Sequence, residues 1–526
     1  MIIRSAYPDV AVPEVALPEL LLGDLGTEDA GRLAVIDAAS GAGYTFGELA
    51  HAVDRVAAAL AERGIGRGDV VALFAPNSPD YPVVFHGGLA AGAAVSPVNA
   101  LYTAHELGHQ LRDAAATILF CGPDGLERAM AAVATDGVRV REIVVLGPAA
   151  PGATPFTELL ASTAASPQVR IDPSDVAALP YSSGTTGLPK GVLLTHRNLV
   201  ANLLQMDPLG RVEAGSRLIA VLPLFHIYGL TGIMNQGLHR RATVITMPRF
   251  DLAGFLSAVA THRIDHLYIA PPIALALATH PLVADYDLSC VDVVMSAAAP
   301  LSTELADAVA TRLDATVVQG YGLTESSPCT HGIPVDRPDI DRGSIGVPMP
   351  GVEARIVDPA TGEDAARGEL WCRGPNIMRG YLNNPAATAA AIDADGFLHT
   401  GDIVTIDDAG AFHVVDRLKE LIKYKGYQVA PAELEALLLT HPGIADAAVI
   451  GVPAVGGEEV PKAFVVLATT RDAGHDLEAA EVMAFVAERV APYKKVREVE
   501  FLDRIPKSAA GKILRKELRN RAAAPA

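Results

Sequence analysis

The chain has 526 residues, half of them hydrophobic but only 5% aromatic, and a formal net charge of -19. That length calls for more than one core, and the acidic balance excludes a nucleic-acid binder, which needs a basic face. No run reaches the ~18–20 apolar residues of a membrane-spanning helix, the opening MIIRSAYPDV has no apolar signal core, and the scattered cysteines Cys121, Cys290, Cys329 and Cys372 point to a reduced, cytoplasmic protein without disulfides or a metal cluster.

In chain order, TFGELAHAVDRVAAALAERGI repeats its apolar residues at three and four spacings, so it is expected to be an amphipathic helix capped by Thr45. DVVALFAP is a buried strand, and YPVVFHGGLAAGAAVSPV is a helix leading to a strand. This rhythm predicts layered parallel α/β structure. VAALPYSSGTTG is a strand entering a loop, and GVLLTHRNLVANLLQM is a strand followed by a helix. A second α/β stretch runs through RLIAVLPLFH, DVVMSAAAP and ATVVQGYGLTE, where apolar strands end in small or polar residues. In open α/β sheets, ligands bind at those carboxyl ends. From about 340 to 415 the texture changes to strands and Gly/Asp turns, which predicts a small antiparallel sheet or barrel. After Asp416 the chain restarts as a compact α+β unit of helix, two strands and helix, and the closing RAAAPA is expected to be a disordered tail. The predicted domains are therefore 1–416 and 417–526.

The loop YSSGTTGLPKG, residues 181–191, has the hydroxyls, glycines and lysine of a phosphate-holding loop. It lacks the P-loop spacing, because Leu188 and Pro189 separate Gly187 from Lys190 and no Ser or Thr follows the lysine. Lysine usage sharpens the signal. Of ten lysines, Lys190 alone precedes residue 419. An otherwise Arg-writing chain places there a compact, movable point charge rather than a planar fork.

Five further motifs follow in order: PLFHIYGL at 223–230, QGYGLTE at 319–325, TGD at 400–402, DRLKELIKYKGYQ at 416–428 and PKSAAGKILR at 506–515. Together with the loop they resemble the adenylate-forming superfamily of acyl-CoA synthetases, luciferases and peptide-synthetase adenylation domains, above all its 4-coumarate–CoA ligase branch.

The resemblance implies that a carboxylate attacks the α-phosphorus of ATP, giving acyl-AMP and pyrophosphate, and that coenzyme A then displaces AMP. The partners implied are thus a small carboxylic acid, ATP and CoA, with Mg²⁺. It implies that Ser182, Ser183, Gly184, Thr185, Thr186, Gly187 and Lys190 hold the polyphosphate, with Thr186 and Glu325 at Mg²⁺. It puts Gln319, Gly320, Tyr321, Gly322 and Thr324 around the adenylate, with Tyr321 on adenine and Asp402 and Arg417 at the ribose. Lys419, Lys423 and Gln428 join the nucleotide set. Lys512 spans the acyl carboxylate and α-phosphate, where a fixed ammonium stabilises developing charge. Arg249, Lys425 and Gly426 face CoA. His226 gates the acyl tunnel, and Tyr228, Gly232, Ala298 and Gly320 line an acyl pocket suited to an aryl-propenoate. Rotation about Asp416–Arg417 would exchange Lys512 for Lys425 between the half-reactions. A medium-chain fatty acyl-CoA synthetase is the alternative within the same superfamily.

Overall fold

The computed structural model describes the chain except residues 183–188, 419, 425–426, 454–458, 469–476, 491, 509–510 and 524–526. The described residues form two compact units, one of residues 2–354 with 372–398, the other of residue 1 with 355–371 and 399–526. Residues 340–415 are thus shared between the two units, and Asp416 and Arg417 both lie inside the smaller one.

The larger unit is layered α/β. In its first sheet, strand Val70–Phe74 runs parallel between Ala94–Pro97 and Ile118–Cys121, and Ile118–Cys121 pairs in turn with Glu142–Val145. Ile118–Cys121 is buried throughout, and Val70–Phe74 from Val71 on, as expected of parallel strands covered on both faces. Helix Phe46–Glu62 packs Leu49, Val53, Val56 and Leu60 inward. Thr45 and Glu48 close its start as a reciprocal capping box, which fixes where the helix begins.

The second sheet carries Leu33–Asp37, Thr243–Thr246, Arg217–Ala220, His266–Ile269, Val293–Ser296 and Thr316–Gly322 as parallel neighbours in that order. Their carboxyl ends lead into His226, Arg249, Ala298 and Tyr321–Glu325, so topology alone gathers candidate residues scattered over 100 positions of sequence. Past Gln319 the last strand leaves the parallel array and pairs antiparallel with Cys329–Gly332. Gly322 is required for this: a Cβ there would lie 1.9 Å from the Pro328 carbonyl oxygen. The segment after FHI winds with wide π-helical turns over Tyr228–Asn235, which no residue pattern announced.

Strands Glu353–Val357, Arg367–Arg373, Leu398–Ile406 and Phe412–Arg417, most of whose residues belong to the smaller unit, adjoin in that order. Hairpin Ile422–Tyr424 with Tyr427–Val429 leads into helix Pro431–Leu439. Strand Ile444–Pro453 pairs antiparallel with Glu459–Leu467, which pairs parallel with Glu498–Phe501. Val449, Ala463, Val465, Leu434, Leu438 and Val482 form the core between these elements. Helix Arg515–Ala523 runs into the expected tail, so the first half of RAAAPA is ordered because Leu518 anchors the helix in the core. Among the described residues no helix is long and apolar enough to cross a membrane, and the four cysteines are free thiols.

Candidate active site

In the larger unit the ends of the phosphate loop are held as a ladder: Tyr181 pairs with Gly191 and Ser182 with Lys190. Ser183, Gly184, Thr185, Thr186 and Gly187 lie outside the described residues. Lys190 heads strand Lys190–Thr195, whose other edge receives Gly380–Tyr381. This pairing brings Tyr381 under Lys190, with the ammonium 4.0 Å from the ring centroid. Such a contact is attractive because the ring face is electron-rich. The Tyr381 hydroxyl donates to Glu325 Oε1 at 2.8 Å, and Ser182 Oγ donates to the same oxygen at 2.9 Å. Burial and the Glu325 charge push the Tyr381 phenol well above its ordinary range, so it stays a donor. Ser182 and Tyr381 thus both donate to the Glu325 carboxylate, and Lys190 rests on the Tyr381 ring. Tyr381 was not among the sequence candidates. The only signal for it was its place in MRGYL, a strand too short to stand out by pattern.

Glu325 sits in the single turn Thr324–Ser326, and neutral amides fix that turn. Asn376, fully buried, donates to the carbonyls of Ser326 at 2.9 Å and Cys329 at 3.0 Å. Asn202 exchanges two bonds with the Cys329 backbone, at 2.7 and 3.0 Å. Asn198 donates to the carbonyls of Pro375 and Ile377, both at 2.8 Å. Met378 N–H donates to the Glu325 carbonyl at 2.8 Å. Buried amides with both ends satisfied hold backbone rigidly.

The adenylate candidates divide. Gly320, Tyr321 and Gly322 occupy the strand end, with the Tyr321 ring edge-on to His331 at 6.0 Å between centroids. Gln319 is buried and structural: its amide exchanges bonds with both polar atoms of the Leu301 backbone, at 3.1 and 3.0 Å. It shapes the loop before Thr303 rather than presenting a polar tip.

On the acyl side, the hydroxyl of buried Tyr228 donates to the Met295 carbonyl at 3.1 Å, which fixes its ring. A Cβ on Gly232 would lie 3.0 Å from Tyr228 Cδ2. The same construction at Gly320 meets the Met295 sulfur at 3.4 Å. Ala298 has φ +74, a left-handed conformation that strains any side chain and is typical of functional loops. His226 Nδ1 accepts from the Tyr228 N–H at 3.3 Å. Arg249 is exposed on the turn after Thr243–Thr246.

In the smaller unit, Asp402 and Arg417 face each other across an antiparallel pair and join at 3.2 Å. Lys512 stands near both and is pushed down to about 8, first by burial and then by the Arg417 charge, against Glu420 and Asp402. Asp416 is pushed up to about 7 by burial, although the N–H groups of Arg417 and Ala432 donate to it. Lys423 and Gln428 pair in the hairpin, whereas Lys419, Lys425 and Gly426 lie outside the described residues. No group of three or more His, Cys, Asp or Glu among the described residues could hold a metal alone. A lone carboxylate ringed by hydroxyls suits Mg²⁺, which takes one or two protein carboxylates and completes its shell with water and phosphate oxygens.

The comparisons with known proteins agree with this picture. The family described as AMP-binding enzyme matches residues 26–382, and the AMP-binding enzyme C-terminal domain matches 433–512. 4-Coumarate–CoA ligase 3 of Oryza sativa subsp. japonica is 40% identical over 535 residues, spanning 100% of this chain and 95% of the relative. 4-Coumarate–CoA ligase 2 of Nicotiana tabacum is 41% identical over 536 residues, spanning 100% and 98%. Among solved structures, ATP-bound MatB from Rhodopseudomonas palustris superposes with TM-score 0.87 at 31% identity, over 97% of this chain and 99% of that one. The anthranilate CoA ligase AuaEII in complex with anthranoyl-AMP superposes with TM-score 0.88 at 26% identity, over 98% of each chain. Matched over most of its length by one family and over its C-terminal part by that family's companion domain, the chain belongs to the AMP-binding enzymes, the adenylate-forming superfamily its motifs resemble.

Proposed function

We propose that the protein is an ATP-dependent, AMP-forming acid–CoA ligase acting on a 4-coumarate or cinnamate-type acid. The observation that carries this reading is the full-length kinship, near 40% identity, with enzymes named 4-coumarate–CoA ligase. That kinship does not favour the medium-chain fatty acid alternative.

In the first half-reaction a carboxylate oxygen of the acid bonds to the α-phosphorus, the bond to the bridging oxygen breaks, and pyrophosphate leaves. Ser182, Lys190 and the 183–187 loop bind the departing polyphosphate. Glu325 with Thr186 would hold Mg²⁺, which when bound offsets polyphosphate charge. Tyr321 packs on adenine, Asp402 accepts from the ribose hydroxyls, and Arg417 orients Asp402. The Lys512 ammonium stabilises charge that grows on the carboxylate and α-phosphate oxygens in the transition state. In the second half-reaction the CoA sulfur bonds to the acyl carbon, the acyl–phosphate bond breaks, and AMP leaves while the thiol proton goes to solvent. Arg249, Lys425 and Gly426 serve that step, and His226 gates the path to the acyl carbon. Lys419, Lys423 and Gln428 support the nucleotide, and Asp416–Arg417 is the pivot between half-reactions. Tyr228, Gly232, Ala298 and Gly320 accept the acyl group. A cytoplasmic site of action is part of this reading, with the four free thiols in its favour.

The test is pyrophosphate release with 4-coumarate, cinnamate and octanoate, repeated with CoA while AMP and thioester are followed. Turnover of the aryl-propenoates well above octanoate is expected. Preference for octanoate would transfer the assignment to the fatty acid branch.

A further inference from the structure

Among the described residues of the Lys512 loop, Lys507 pairs with Asp446 at 2.6 Å, and the bonds at Lys512 itself are local. Ser508 N–H donates to the Lys512 carbonyl at 2.8 Å, Lys512 N–H donates to Ser508 Oγ at 3.2 Å, and Gly511 turns with φ +80. These bonds shape the loop but do not aim it at Asp402 and Arg417, about 100 residues earlier. The tie toward Arg417 comes three residues on. Arg515 donates to both carboxylate oxygens of Glu435 at 2.7 Å, pairs with Glu420 at 2.9 Å and reaches the Val449 carbonyl at 3.3 Å. Glu435 is itself fixed, since Val449 N–H donates to it at 2.7 Å. Glu420 N–H donates to the Arg417 carbonyl at 2.9 Å. One guanidinium thus fastens the Lys512 loop to the turn that follows Arg417, and both carboxylates and the guanidinium are largely out of water.

We propose that Glu420 and Arg515 are positioning residues for Lys512: Arg515 locks the Lys512 loop to the Arg417 turn, and Glu420 supplies the charge that holds the ammonium there. The proposal rests on the assignment of Lys512 to adenylation. Breaking a buried ion network leaves an uncompensated charge, so such a tie is rigid. The charge count supports the second part. Two buried carboxylates, Glu420 and Glu435, face the one Arg515 guanidinium. The groups acting on Lys512 are Arg417 and Arg515, which disfavour its charged form, and Glu420 and Asp402, which favour it. Glu435 and Asp416 stand behind Arg515 on the other side of the network.

The experiment follows pyrophosphate release by the full-length protein with 4-coumarate from pH 6 to 10, for the parent, Lys512→Ala, Glu420→Gln and Arg515→Lys. Thioester formation from supplied acyl-AMP and melting temperature are measured alongside. Glu420→Gln keeps the shape and removes the charge, so the alkaline limb of adenylation should move to lower pH. One unit of movement is about a tenfold loss on that limb. Arg515→Lys keeps the charge but lacks the planar fork. Its adenylation rate should fall on the order of tenfold while its alkaline limb stays in place, and transfer from acyl-AMP should stay near parental. A lowered melting temperature with parental adenylation rate and limb in both variants overturns the proposal and leaves these residues purely structural. Should Glu420→Gln fail to fold, the rate of Arg515→Lys decides alone. Parental adenylation in Lys512→Ala instead removes the functional reading beneath it.

Discussion

The two units solve one problem, holding charged groups in place, by opposite means. Around Glu325 the larger unit uses neutral amides: Asn198, Asn202 and Asn376 grip backbone carbonyls. Around Lys512 the smaller unit uses a buried ion network, Glu420, Glu435 and Arg515, with the buried carboxyl of Asp416 beside it. Amides fix geometry without responding to pH. Ions fix geometry and also set the charge of their neighbours, at the cost of leaving titratable groups in the interior. A carboxylate proposed to meet Mg²⁺ and polyphosphate needs only the first. An ammonium that must stay charged while buried needs both.

The largest expected effect tests the ionic side. Lys512→Ala should slow adenylation by roughly 10²–10³-fold, the usual cost of one preorganised charge at a transition state. Thioester formation from supplied acyl-AMP should change far less. Equal losses in both half-reactions would show that Lys512 holds the fold and not the transition state.

On the neutral side, Gly232→Ser tests how rigid the acyl pocket is. The new Cβ meets the Tyr228 ring, which the Met295 carbonyl holds, so the ring must yield or the pocket must shrink. One small group in a pocket is worth about 10–200-fold in kcat/KM. Bulky dimethoxylated cinnamates should lose on that scale, while cinnamate loses little. A uniform loss across both acids would mark Gly232 as a folding position.

Asn376→Leu sharpens the comparison in stability terms. It strips the Ser326 carbonyl of its partner, at about 1–3 kcal/mol for that buried group left unsatisfied, and leaves the Cys329 carbonyl to Asn202 alone. Urea denaturation should show the same loss at pH 6 and pH 8, because nothing in that network titrates. A strongly pH-dependent loss would contradict the neutral-brace account.

The last effect concerns Asp416. Its carboxyl is raised in the folded protein from 3.8 to about 7, with burial as the main cause. The contribution to stability is therefore complete below about pH 4 and is lost as pH rises through about 7. Asp416→Asn should flatten that dependence, so its melting temperature should gain on the parent between pH 4 and pH 8. Parallel curves for the two proteins would mean that Asp416 is charged throughout.

Part of the candidate site stood out in the sequence: Gly320–Glu325 as small and polar residues at an apolar strand's end, Lys190 by lysine composition, while the Thr45 cap came from helical spacing. For Gln319, only the fold shows that its amide bonds the Leu301 backbone. Tyr381, Asn376 and Arg515 were not legible, since each matters through a partner far away in sequence.

The sequence by itself determined the layered α/β class, the order of motifs and the kinds of side chain available for adenylate chemistry. These follow from local periodicity, turn chemistry and residue type, which act over a few positions. Only the tertiary structure decided which groups share a charge. The pairing of Gly380–Tyr381 with strand Lys190–Thr195 puts Lys190 over Tyr381, and the packing of Pro431–Leu439 beside Ile444–Pro453 lets Arg515 meet Glu420 and Glu435. Coulomb and hydrogen-bond energies depend on distance in space and on burial, and neither is written along the chain.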